Sequence, residues 1–184
     1  MDFSESEEQQ LLSDSLRKYL ANDYSFDART RVVASTIGYN EKTWAAFAEM
    51  GLLGIPFAEE HGGFGGGAVD MMLVMEALGE SLVVEPYWTN VGVAGRLIAR
   101  GGSETQAKRI LPALIQGKQR LAFAHTEAGS RYDLRHVGAR AKRAGGNWTL
   151  EGEKRAVLHA AAADTLIVSA RTSGGDGDPG GISL

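Results

Sequence analysis

The stretch LAFAHTEAGSRYDL, residues 121–134, marks a change of pattern along the chain. Before it, apolar residues recur at the spacing of a helical face, and after it come short segments parted by turn residues, the spacing of strands. An apolar run, a lone histidine, a threonine beside a glutamate and an arginine beside a tyrosine share these fourteen residues. The choice is between a strand entering an ordinary turn and the wall of a site.

Upstream the reading is helical. Ser4 and Ser6 can cap a segment in which Leu12, Leu16 and Leu20 recur every four residues. Asn40–Met50 forms a second helix around Trp44, Phe47 and Ala48, with Gly51 placed for a left-handed cap. Ala68–Glu80 is apolar enough to lie inside the helical cluster, its methionines serving as core filler. Pro86 suits the first turn of a helix over Tyr87–Arg100. Ser103 and Gln106 make a capping box, and Pro112 predicts a break within the run to Gln116.

Downstream of Gly117 the predicted strands are Leu121–His125, Val137–Arg143, Trp148–Glu151, Arg155–His159 and Thr165–Ala170. Ala144-Gly145-Gly146-Asn147 is a hairpin connection, with Trp148 as its packing residue. The stretch SGGDGDPGG, 173–181, reads as a flexible surface loop, and the strand pattern that starts at Ile182 stops at Leu184 as though cut short. Helices and strands therefore form separate layers or domains with a boundary near 117–121.

Composition narrows the chemistry. A chain of 184 residues with 43% hydrophobic and 23% charged residues is globular. A net charge of -4 argues against nucleic acid or an anionic membrane as partner. The lack of cysteine removes disulfides and thiolate catalysis and fits a cytoplasmic protein. No apolar run approaches the roughly 20 residues of a membrane span. HGGFGGG, 61–67, lacks the Lys-Ser/Thr pair of a phosphate loop and reads as a tight connection between helices. His61, His125, His136 and His159 have no metal-ligand spacing, and no G-x-S-x-G is present. Residues alone stop at a two-layer protein of helices and strands.

The ordered motifs Trp44…GLLGIPFAEEHGGFGGG, GGSETQAKRILPALIQGKQRLAFAHTEAG and NWTLEGEKRAVLHAAAADTLIVSAR carry the reading further. Together they resemble the N-terminal and middle domains of the FAD-dependent acyl-CoA dehydrogenase family, across nearly the whole chain. The resemblance implies an α+β multidomain protein: an all-helical N-terminal domain over 1–118, then part of an antiparallel β-barrel-like middle domain over 119–184. The family's C-terminal helical domain is absent from these residues. It implies oxidation of an acyl-CoA to a 2-enoyl-CoA with FAD as hydride acceptor, or a non-catalytic subunit of a heteromeric enzyme. An electron-transferring flavoprotein as electron acceptor and a homo- or hetero-oligomer follow from the same likeness. The fragment alone is expected to be inactive, because the family's catalytic glutamate belongs to the C-terminal part and no catalytic residue is assigned here.

By position in the family pattern, Phe123, His125 and Thr126 fall where a strand passes the flavin. Their alternative roles are a core phenylalanine and a rim histidine on a strand with no ligand. Glu127 belongs to the Thr-Glu signature as a structural carboxylate. The usual Thr-Glu-Pro-x-x-Gly-Ser-Asp departs here, with Ala128 for the proline and Arg131-Tyr132 for the Gly-Ser pair, while Gly129-Ser130 sit two residues early. Arg131 and Tyr132 are therefore substrate-side candidates, Arg131 meeting a phosphate bidentately or pairing with a surface carboxylate. After Lys154, Ala156 stands where the family places an aromatic against the flavin, and Leu158 where it places a hydroxyl. Leucine shapes a pocket but donates nothing.

Overall fold

The computed structural model describes residues 5–184. Ser4 lies outside them, and Ser6 is the residue that caps helix α1, Glu7–Asp23. Its hydroxyl accepts the Gln9 N–H while the Gln9 side chain accepts the Ser6 N–H, the reciprocal pair that satisfies two otherwise orphaned donors. Leu16 and Leu20 are buried beneath it. A short α2, Phe26–Val33, had no counterpart in the sequence reading. In α3, Glu41–Glu49, Asn40 caps the N–H groups of Lys42 and Thr43, Trp44 and Phe47 are buried, and Gly51 takes φ +77°.

Helix α4, Ala68–Glu80, packs on α1 and is tied to it by Arg17, which donates to both Glu80 oxygens. It is not enclosed on all sides as expected. Met71 is buried but Met72 is 55% exposed, so the helix has an outer face. The segment after Pro86 also differs from expectation: a π-helix, Trp88–Gly95, runs into α5, Arg96–Gly101. Ser103 and Gln106 do form their capping box at α6, Glu104–Ile115, but that helix continues through Pro112. The carbonyl that loses its intrahelical partner there belongs to Lys108, an exposed residue, which softens the cost of the missing N–H.

The strands build two small sheets. β1, Leu121–Ala124, pairs parallel with β4, Thr165–Val168. A second sheet has the order β3-β2-β5-β6. In it β2, Arg140–Ala144, and β3, Asn147–Glu151, form the expected hairpin across Gly145-Gly146. β2 touches β5, Ala170–Arg171, in parallel, and β5 pairs antiparallel with β6, Ile182–Ser183.

The expected antiparallel, barrel-like sheet is therefore corrected: the strands are mixed in direction and open at both edges. Closure needs long staggered strands, whereas β5 and β6 are two residues each and every β3 residue is exposed. Arg155–His159 is not a strand either. Ala156 and His159 adopt left-handed φ of +49° and +56°, and His159 is bound to Thr89 Oγ1 and the Val84 carbonyl. The loop 173–181 is organised around Arg171, which is 1% exposed and donates to the carbonyls of Val137, Arg135, Gly180, Asp176 and Asp178.

One core joins the two layers. Leu121, Ala162 and Ile167 belong to the same buried cluster as Trp44, Phe57, Val91 and Leu114. Asn90 of the π-helix accepts the Leu121 N–H at 2.6 Å, fixing the start of β1 against the helices.

Candidate functional site

Strand β1 has two edges with different fates. The Ala124 carbonyl accepts the Ser169 N–H on the β4 side. Backbone groups alternate along a strand, so those of Phe123 turn to the other edge, where Leu121 already meets Asn90. Among the described residues that edge carries no neighbouring strand. Phe123 and His125 share one face, their rings stacked 5.3 Å apart.

Where β1 ends, four polar side chains converge. Lys154 Nζ donates to Glu127 Oε1 at 2.6 Å, Ser169 Oγ at 2.9 Å and the His125 carbonyl at 3.1 Å. Glu127 also accepts the N–H groups of Gly138 and Ala139. Burial alone would push the Glu127 carboxyl up, but Lys154 and the two N–H donors outweigh it and hold it below the usual range. Glu127 is thus the structural carboxylate expected from the sequence, clamping the turn after β1 to the segments around 138 and 154. His125 Nδ1 lies 2.9 Å from Ser169 Oγ, while Nε2 is buried with no partner among the described residues. Burial, with the Lys154 cation second, lowers the His125 pKa.

The other named residues divide into two groups. The Arg155 N–H donates to the Thr126 carbonyl at 2.8 Å, so the backbone carries Ala156 alongside Thr126, and both are exposed. Leu158, two residues on, is also exposed. Arg131 and Tyr132 stand apart from this group. Tyr132 is 99% exposed, Arg131 has a left-handed φ of +46°, and neither side chain has a hydrogen bond or ion pair among the described residues. Ser130, by contrast, is buried, its hydroxyl closing the turn on the Glu127 main chain.

The sequence reading missed Lys154 and Ser169 as members of this cluster. The available signal was electrostatic: a lysine between a strand and an apolar run is buried only with a partner, and Glu127 was already singled out. Trp148 is corrected as well. It is 60% exposed and lines a cleft of about 550 Å³ between α5, α6 and the strands, with Leu97, Ile110, Leu150 and Leu166. None of Phe123, His125, Thr126, Ala156 and Leu158 lines that cleft.

Comparison with known proteins fits this arrangement of helices, strands and Thr-Glu turn. Residues 6–118 match the family description "Acyl-CoA dehydrogenase, N-terminal domain", and residues 122–184 match "Acyl-CoA dehydrogenase, middle domain". The chain belongs to the acyl-CoA dehydrogenase family. Within that family it is 32% identical over 179 residues to acyl-CoA dehydrogenase FadE12 of Mycobacterium tuberculosis (strain ATCC 25618 / H37Rv), covering 92% of this chain and 44% of that protein. Among solved structures, an FAD complex of PigA superposes with TM-score 0.84 at 27% identity, covering 96% of this chain and 47% of that one. The Tcur3481-Tcur3483 steroid acyl-CoA dehydrogenase superposes with TM-score 0.80 at 27% identity, covering 99% and 48%. The chain thus spans less than half the length of these similar proteins.

Proposed function

We propose that this chain supplies the flavin-side wall of an FAD-dependent acyl-CoA dehydrogenase that converts an acyl-CoA to a 2-enoyl-CoA. The end of β1 carries the reading: its open edge presents the Phe123 main chain, and the exposed Thr126 hydroxyl and the orphaned His125 Nε2 follow within four residues. These are hydrogen-bonding groups of the kind that an isoalloxazine edge requires, and the FAD seen in PigA supports their use for that group. When bound, FAD supplies the hydride acceptor. The chain's own part is to orient the ring through Phe123, His125 and Thr126 and to shape its surroundings with Ala156 and Leu158. Arg131 and Tyr132 are free to meet the CoA portion of the substrate. Glu127 is not the catalytic base, because its carboxylate is committed to Lys154 and two backbone donors.

On this reading residues 1–118 and 119–184 are two domains, and the base and remaining flavin contacts come from a helical domain beyond them. Electrons leave to an electron-transferring flavoprotein. A second reading, a non-catalytic subunit of a heteromeric enzyme, is favoured by Ala156 and Leu158, which offer neither a stacking ring nor a donor. One experiment separates them. Protein purified with the rest of its chain should hold FAD and lose its visible flavin absorption when acyl-CoA is added without oxygen. Protein that binds no flavin until a partner subunit is added supports the second reading, and protein that binds none under either condition overturns both.

A further inference from the structure

The hydrogens around Lys154 can be counted. Its ammonium has three N–H bonds and three acceptors, the His125 carbonyl, Glu127 Oε1 and Ser169 Oγ. Ser169 is 0% exposed, so its hydroxyl hydrogen needs a protein acceptor. Having received one bond from Lys154, Ser169 Oγ has one neighbour left among the described residues, His125 Nδ1 at 2.9 Å. An imidazole that accepts at Nδ1 is neutral and carries its proton on Nε2.

The other protonation states fit worse. A proton on Nδ1 would point at Ser169 and strand the serine hydrogen in a closed site. A doubly protonated ring would do the same beside the Lys154 ammonium. The charged groups acting on His125 are Lys154, from the segment after β3, and Glu127, from the turn after β1. Glu127 favours a cation, but burial and the Lys154 ammonium oppose it more strongly.

We propose that Lys154 is a positioning residue which, through Ser169, holds His125 as the neutral imidazole protonated on Nε2, a fixed hydrogen-bond donor for one acceptor atom of a bound flavin. Nε2 is the orphan that this assignment explains: a buried donor with no protein partner among the described residues, on the ring that stacks against Phe123. Identification of the ligand as flavin rests on the function proposed above, whereas the protonation state does not. Lysine is suited to the task because it has no acceptor of its own and so compels Ser169 to donate onward. Nothing else in the cluster requires the serine to face that way.

Long-range ¹H–¹⁵N spectra of the protein labelled on histidine, with its four histidines assigned by single substitution, test the arrangement. His125 should show a protonated Nε2 and a bare Nδ1, unchanged across the range where a free imidazole titrates, about pH 5.5–7.5. Ser169→Ala should convert it to a mixture of both neutral forms. Lys154→Gln should raise its pKa, with Lys154→Arg restoring part of the wild-type behaviour. A ring protonated on Nδ1, or one already doubly protonated at neutral pH, overturns the proposal in the wild-type protein, whatever the variants do. Added FAD that co-elutes with the protein should shift the Nε2 proton. If FAD binds and that proton does not move, the donor role toward flavin is overturned. If FAD does not bind while the predicted imidazole is seen, the flavin reading fails and the Lys154 relay stands.

Discussion

At the scale of single residues, two carboxylates respond to pH in opposite senses. Glu127 is depressed in the folded chain, so its contribution is complete above the unfolded carboxyl value of about 4.3 and is lost as pH falls through the native value. Glu127→Ala leaves Lys154 buried without its charge partner, and a loss of about 2 kcal/mol is expected in urea unfolding at neutral pH, below the figure for deeply buried pairs because this one sits at the core's margin. The same variant should lose less stability on acidification than the parent. Glu85 behaves the other way. It is 5% exposed with Oε2 unpartnered among the described residues, and burial pushes it up despite the nearby Tyr24 hydroxyl and the Asn40 N–H that donates to Oε1. The folded state therefore holds this proton more tightly, and stability drains away as pH rises from about 4.3 to the native value. Glu85→Gln should flatten that decline, read as a smaller difference between unfolding midpoints measured at roughly pH 4.5 and pH 7.

At the scale of elements, periodicity and caps made α1, α3, α4 and the β2–β3 hairpin legible, because each is specified by residues within a few positions of itself. What was not legible depends on distant partners. The bend at Arg155–His159 is set by Thr89 and Val84, seventy and more residues upstream, which no local pattern reports. Similarly, the turn residues of 173–181 are arranged by one buried arginine outside the loop. Of the site, the Thr-Glu turn was readable from motif order, but the Lys154–Ser169 link was not, since it joins a turn to a strand end across the fold. Arg131 and Tyr132 drew notice as departures from a pattern, and the structure leaves them at the surface. The glycine cluster 61–67 separates local from distant control in a single test. A Cβ on Gly63 would overlap the Phe57 carbonyl, whereas one on Gly79 of α4 meets nothing. Gly63→Ala should cost about 2 kcal/mol by overpacking, and Gly79→Ala should gain up to about 1 kcal/mol of helix propensity. Thermal unfolding of the two variants should move their midpoints in opposite directions.

At the scale of the molecule, the boundary seen in sequence pattern is not a boundary in the core. The strand layer's own buried hydrophobics are mostly small: Ala122, Ala124, Ala139, Ala162 and Ala170, with Val137. Its larger ones, Leu121 and Ile167, belong to the helical cluster, and the Leu121 N–H is held by Asn90. Alanines bury too little area to offset the ordering of some sixty residues, at about 1–2 kcal/mol of backbone entropy each. Residues 119–184 expressed alone should therefore show the collapsed amide dispersion of an unfolded chain, while residues 1–118 retain helical circular dichroism with a lowered melting temperature. If 119–184 gave a dispersed spectrum by itself, the shared core would be incidental to folding. Asn90→Ala in the intact chain offers an intermediate dose of the same effect. It removes the acceptor for a buried N–H, costing about 1–3 kcal/mol, and loosens β1 from the helices without touching Thr126 or Lys154. Hydrogen exchange should then rise first along β1 and β4, the two strands that carry the open edge and Ser169 into register.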